Sequence, residues 1–148
     1  MKARDLMSAP ALVAVPTDPL SQTAAVMRYH DLGAVPVVDD RDAMRPVGIL
    51  TDRDIVVRCV ADDHGHWCTV CDHMTRQPLA TVGPDADVAE VTALMRERRI
   101  GRVMVVEDGR LVGVVATADV ARGERGRDPV GTGKMRFRIS EPAYVSAA

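Results

Sequence analysis

The sequence predicts an α+β fold made of two βαββα repeats packed about a pseudo-twofold axis. Two observations carry that expectation. The first is duplication. "LGAVPVVDD" at 32–40 matches "IGRVMVVED" at 100–108, "VGILTDRDI" at 47–55 matches "VGVVATADV" at 112–120, and "ARDLMS" at 3–8 matches "VCDHMT" at 70–75. Three blocks in the same order, displaced by 68, 65 and 67 positions, mean two copies of one unit. The second is periodicity: in each copy a stretch of helical apolar spacing precedes two short continuous apolar runs and a further helix.

The elements follow in order. Leu20, Ala24 and Met27 fall on one helical face, as do Val88, Val91 and Met95 in the second copy. Each helix is entered through Pro and Asp, in "VPTDP" and "VGPDAD", which are start signals. The runs "AVPVV" and "RVMVV" read as buried strands. A turn rich in Asp, Gly or Pro leads to a second strand, "PVGIL" or "LVGVV", and a helix follows at once. The boundaries are 3–62 for the first repeat, 63–69 for a linker, 70–121 for the second repeat, and 122–148 for a Gly-rich linker and C-terminal arm. A unit of about 60 residues buries only about 60% of its unfolded surface and is marginal alone. Pairing the two sheets buries what each leaves exposed and creates clefts along the axis.

Composition narrows the function classes. Nearly half the residues are apolar but few are aromatic, so the core is Val, Ala, Leu, Ile and Met, and stacking platforms for single-stranded nucleic acid are lacking. Met1 to Ala121 carries 13 Lys and Arg against 18 Asp and Glu, a poor partner for duplex DNA. The tail from Arg122 reverses the balance, 6 against 3. "MKARDLMSAP" has no apolar run behind its basic residue, so neither signal peptide nor spanning helix is expected, and the location is cytoplasmic. Three cysteines, an odd number without an export signal, argue for reduced thiols. No nucleophile is paired with a base, His30 stands isolated on the first helix and no P-loop occurs, so the chain is not expected to be an enzyme.

"GILTDRD" is the most informative stretch. Thr51-x-x-Asp54, after a strand and before a helix, is a capping box variant worth about 1 kcal/mol. The same geometry suits a ligand, because a helix start offers N–H groups and partial positive charge. Asp54 would repel a phosphate, but its carboxylate can accept from the cis-diol of a ribose. Gly48 lets the backbone lie close to whatever occupies the cleft. In the second copy Ala116 stands where Thr51 does, so Asp119 loses its hydroxyl companion, and Thr117 is the substitute cap. Arg102 takes the place of Ala34. Arg96, Arg98 and Arg99 read as a solvated helix end.

Together "RDLM" and "CDHMT" at the repeat starts, "GAVPVVDD" and "GILTDRD", duplicated across residues 3–121, resemble the paired cystathionine beta-synthase (CBS) domain, or Bateman module. The resemblance implies a stand-alone, homodimeric regulatory module that requires no cofactor, binds an adenosine nucleotide of the AMP, ADP or ATP class, and signals to a protein partner. Thr51 and Asp54 would lie on the ribose and phosphate side. Backbone groups of Ala34 and Val35 would read the purine, Pro36 would wall the pocket, and Arg102 would reach the phosphate from the other repeat. Met104 and Asp119 would form a weaker second site. One nucleotide per chain is expected. The rival reading is a ligand-free dimeric scaffold.

The stretch "CVADDHGHWCTVCDHM" holds every cysteine and three of the four histidines. Cys68-x2-Cys71 with His64, His66 and His73 can supply the four ligands zinc takes, Cys68, Cys71, His64 and His66 being the favoured set, which makes a metal- or redox-responsive protein the other alternative. Cys59 has a spacing suited to packing. A lone C-x2-C is a weak signal, and the family has an ordinary linker here. In the tail, Met135, Phe137 and Ile139 fall on one face of an extended arm, expected to dock on the body or on a dimer partner.

Overall fold

The computed structural model describes residues 1–65, 67–76 and 78–124. His66, Gln77 and the C-terminal stretch with its expected arm lie outside the described residues. The elements are α1 (Ala3–Leu6), α2 (Leu20–Tyr29), β1 (Ala34–Val38), β2 (Pro46–Thr51), α3 (Asp52–Asp54) running into a π-helix (Ile55–Val60), α4 (Val70–His73), β3 (Thr81–Val82), α5 (Val88–Arg98), β4 (Arg102–Glu107), β5 (Arg110–Ala116) and α6 (Thr117–Glu124). Among the described residues no helix is long and apolar enough to cross a membrane.

The chain divides into two compact units. Among the described residues, Leu12–Leu79 form one, and Met1–Ala11 with residues 80–124 form the other. In the first unit β1 and β2 pair antiparallel, with Ala34 opposite Thr51 and Val37 opposite Gly48. The first strand of this repeat is reduced to one parallel bridge, Ala14 to Val37. In the second unit β3 pairs parallel with β4, and β4 pairs antiparallel with β5. Every residue of β1 is buried, as expected of a strand covered on both faces. Each unit has its own aliphatic core: Leu20, Met27, Val35, Val37, Leu50 and Val70 in one, Leu6, Val91, Met95, Val103, Val105 and Val115 in the other.

The compact units differ from the sequence repeats 3–62 and 70–121. The opening block of each repeat folds with the body of the other. Ala3 N donates to Ala86 O (2.8 Å), and Ser8 and Val114 exchange backbone hydrogen bonds (2.9 and 3.2 Å). Likewise Val70 N donates to Asp18 O (2.9 Å), and Ile49 and Thr75 exchange two bonds of 2.8 Å. The glycine in the middle of each second strand makes room for this crossing segment. A Cβ on Gly48 would meet Thr75 O at 2.8 Å and Met74 Sδ at 3.0 Å, and one on Gly113 would meet Met7 Sδ at 2.6 Å.

The helices begin where the Pro and Asp signals place them, but their acids have other duties. Asp18 accepts from Val15 N (3.0 Å) and pairs with Arg41 (2.7 Å), closing the turn ahead of α2. Asp87 occupies the N-cap of α5, makes no cap hydrogen bond and pairs with Lys2 (2.9 Å). Arg96, Arg98 and Arg99 are exposed at the end of α5, where Arg99 adopts a left-handed φ of 54°.

Gly48→Ala must displace a backbone carbonyl, and Gly113→Ala must displace the Met7 side chain from its root outward (Sδ 2.6 Å, Cγ 2.9 Å, Cβ 3.0 Å). Urea unfolding should show each variant destabilised by about 1–3 kcal/mol, the usual cost of overpacking.

Candidate functional site

The turn from β2 into α3 forms a reciprocal cap. Thr51 has extended backbone angles, its hydroxyl accepts from Asp54 N (3.0 Å), and its own N–H donates to Asp54 Oδ2 (3.0 Å). Two groups outside this motif complete the surroundings of the carboxylate. Thr75 Oγ1 donates to Asp54 Oδ1 (3.2 Å), and Arg58 Nη1 lies 3.8 Å from that same oxygen, one helical step along. Arg58 also donates to the carbonyls of His73 (3.1 Å) and Met74 (3.3 Å). With its side chain 12% exposed, the Asp54 carboxylate is held by two side chains, Thr75 and Arg58, and one backbone N–H, that of Thr51. An ionised carboxylate offers about four lone-pair directions, so a diol would have to share Oδ1 or displace the Thr75 hydroxyl.

Gly48 departs from its expected role. The atoms that approach it closely belong to Met74 and Thr75, so its missing side chain serves the chain's own crossing segment.

Ala34, Val35 and Pro36 are all buried in β1. Pro36 O accepts from Ala14 N (2.9 Å), and Val38 N donates to Ala14 O (2.9 Å). Strand alternation therefore aims the N–H and C=O of Ala34 at that same edge, one step beyond the bridge, and those of Val35 into the ladder with β2. Of the two backbone readers expected from the sequence, the geometry favours Ala34. Thr51 lies directly across the ladder from it.

The second copy keeps half of the cap. Asp119 Oδ2 accepts from Ala116 N (2.8 Å), and its Oδ1 pairs with Arg122 (2.5 Å). Thr117 does not replace the missing hydroxyl: standing one position inside the helix, its Oγ1 donates to Gly101 O (3.2 Å). Met104 is buried in β4 opposite Val114. Arg102 heads β4 opposite Ala116, half-buried, in the unit that does not contain Thr51 and Asp54.

The Cys and His residues sort differently from their sequence spacing. Cys59, Cys68 and His73 meet in the interior of the first unit, with ligand atoms within 4.8 Å of one another. His64 closes on this group, its Nδ1 lying 3.4 Å from His73 Nε2. Cys71 is exposed, and its Sγ accepts from Arg76 Nη2 (3.1 Å). The C-x2-C spacing thus separates its two sulfurs, because Cys68 precedes α4 and faces inward while Cys71, on the helix, faces out. Burial, then the neighbouring Cys59, push the Cys68 thiol up from its ordinary pKa. The backbone N–H of Thr69 holds the Asp72 carboxyl below the usual range.

Arg58, Thr75 and Cys59 are not among the site residues the sequence offers. Arg58 is detectable as the i+4 partner of Asp54. The other two depend on how the segment 68–75 folds back.

The CBS domain model matches residues 3–60 and 70–126. Hypoxic response protein 1 of Mycobacterium tuberculosis is 36% identical over 120 residues, covering 81% of this chain and 82% of that protein. A crystal structure of that protein with two coordinated zinc ions superposes with a TM-score of 0.73 over 82% of this chain and 98% of that one, at 35% identity. The CBS domain pair of protein MJ0100, crystallised with 5′-methylthioadenosine and S-adenosyl-L-methionine, gives a TM-score of 0.73 at 29% identity, covering 84% and 99% of the two chains. With both of its repeats matched by the family model, the chain belongs to the CBS domain family.

Proposed function

We propose that this chain is a regulatory module, not an enzyme, which binds an adenosine nucleotide or related adenosyl ligand beside the Thr51–Asp54 turn and presents a changed surface to a partner protein. One observation carries the reading: the ladder sets Ala34, whose backbone groups face away from β2 on the edge that Ala14 bridges, directly opposite Thr51. A purine edge and a ribose are thereby offered groups on neighbouring strands. The adenosyl ligands held by the MJ0100 pair support the ligand class. Asp54 is the sugar-binding acid, reached by displacing the Thr75 hydroxyl. The half-cap at Asp119 makes the second site the weaker, so one ligand binds per chain.

The ligand test is a thermal-shift series with AMP, ADP, ATP, 5′-methylthioadenosine and S-adenosyl-L-methionine on wild type and Asp54→Ala. A ligand at 100 times its Kd adds about 2.7 kcal/mol to the wild type. Asp54→Ala also loses its cap, at about 1 kcal/mol, so the increments are to be compared and not the melting temperatures. Equal increments in both proteins, or no increment at millimolar ligand, would defeat the reading. Calorimetry should return one site.

The module is a homodimer in this reading. Val56, Val57 and Val60 of the π-helix are 58%, 50% and 64% exposed, and Tyr29 of α2 is 80% exposed. Val56 also lines an open pocket of about 350 Å³ with Ala24, Met27, Leu32 and Ile55. An apolar face of this kind is suited to a second copy. Val57→Glu should convert a dimer to a monomer in sedimentation velocity without unfolding it; an unchanged sedimentation coefficient would place the dimer contact elsewhere.

A further inference from the structure

We propose that Cys59, Cys68 and His73, with His64 as the fourth ligand, form a tetrahedral site for a zinc-class divalent ion. The set differs from the one the sequence spacing picks out, since Cys59 and His73 take the places of Cys71 and His66.

Four observations converge on it. Cys59, Cys68 and His73 are 7%, 6% and 3% exposed, so two thiols and an imidazole face one another out of water. Their ligand atoms lie within 4.8 Å of one another. Tetrahedral zinc, with bonds of about 2.3 Å to sulfur and 2.0–2.1 Å to nitrogen, spaces its ligands by about 3.3–3.8 Å. Side-chain rotation of about 1 Å would close that gap. His64 Nδ1 already stands 3.4 Å from His73 Nε2, the separation of two imidazole nitrogens on one such ion.

The backbone explains how residues distant in sequence arrive there. The last helix of the first repeat is a π-helix, a form rare in proteins and frequent at functional sites. Its wide turns continue beyond its end: His64 N donates to Cys59 O (2.9 Å), another five-residue step, after Asp63 turns the chain with a left-handed φ of 54°. That step brings His64 back over Cys59, whose Sγ lies 3.8 Å from the His64 carbonyl. His73 comes from the opposite direction on α4, anchored by Val70 N to Asp18 O and Cys71 N to Pro16 O, both 2.9 Å. Cys68 is held between them by its carbonyl, which accepts from Leu20 N (2.8 Å).

The donor set selects the ion. Two thiolates and two imidazoles favour zinc over magnesium or calcium, which take oxygen ligands. With all four positions filled by protein, the site has no open coordination position and its role is structural. It would tie the π-helix to α4 and hold His73 beside the Met74–Thr75 segment that covers Gly48 and bonds Asp54.

The test uses the full chain, free of any histidine tag and stripped with chelator under reducing conditions, titrated with Co²⁺ and then with Zn²⁺. The site predicts one Co²⁺ per chain with thiolate-to-cobalt charge-transfer absorption, tetrahedral visible bands, and loss of both on adding Zn²⁺. Cys68→Ser and Cys59→Ser should each weaken binding by at least about 100-fold, beyond the 10–100-fold typical of an outer partner. Cys71→Ser should leave affinity and spectrum unchanged. His64→Asn, an exposed substitution that leaves the core intact, should weaken binding and alter the visible bands. Wild type without charge-transfer absorption, octahedral visible bands, or binding lost in Cys71→Ser and kept in Cys59→Ser would each overturn the proposal. Folding of every variant is checked by circular dichroism, and the wild-type titration decides the matter even if a core variant fails to fold.

Discussion

The pair of backbone hydrogen bonds between Ile49 and Thr75 is the constraint on which the rest of the first unit depends. It lays the opening block of the second repeat across β2 of the first. Once that block is in place, Gly48 cannot carry a side chain, Met74 enters the core, and the Thr75 hydroxyl falls within reach of Asp54. His73, two residues earlier, is turned inward toward Cys59 and Cys68. The equivalent crossing of Ser8 over Val114 builds the second unit by the same device, with Met7 above Gly113. Exchange of opening blocks gives each half backbone partners that its own repeat does not supply.

The two strand-to-helix turns show how one scaffold diverges at a single atom. Both acids accept from the backbone N–H three residues before them. Only the first turn has the hydroxyl that returns the bond, and only there do a second hydroxyl and an arginine gather on the other carboxylate oxygen. Asp119 instead satisfies that oxygen with Arg122 from its own helix. A cap and a ligand site call on the same groups, because both exploit the free N–H groups and positive end of a helix. In the proposed function, the hydrogen bonds around Asp54 are therefore what an incoming sugar would have to replace.

The π-helix serves two surfaces at once. Its widened turn directs Cys59 inward while Val56, Val57 and Val60 remain exposed. An apolar face on the outside and a soft-ligand cluster on the inside are thus carried by six consecutive residues. Among the described residues the core behind them contains aliphatic, Met and Cys side chains and no Phe, Tyr or Trp, so close approach of chain segments, at Gly48 and Gly113, takes the place of large side chains in filling space.

The sequence alone determined the duplication, the paired strands, the helix starts at Leu20 and Val88, and the Thr51–Asp54 cap. Each of these is written in local periodicity or in a motif of four residues. Tertiary structure decided which copy each opening block folds with, that Gly48 faces the chain's own backbone, that Thr117 bonds Gly101 rather than capping, and that Cys68 joins Cys59 and His73 instead of Cys71. Those outcomes depend on contacts between residues as far as 106 positions apart in the chain, as Ser8 and Val114 are, brought about by burial and by pairing of backbone groups. Local spacing carries no record of such contacts: a C-x2-C pattern fixes distance along the chain, whereas the onset of α4 between the two cysteines decides which sulfur faces the core.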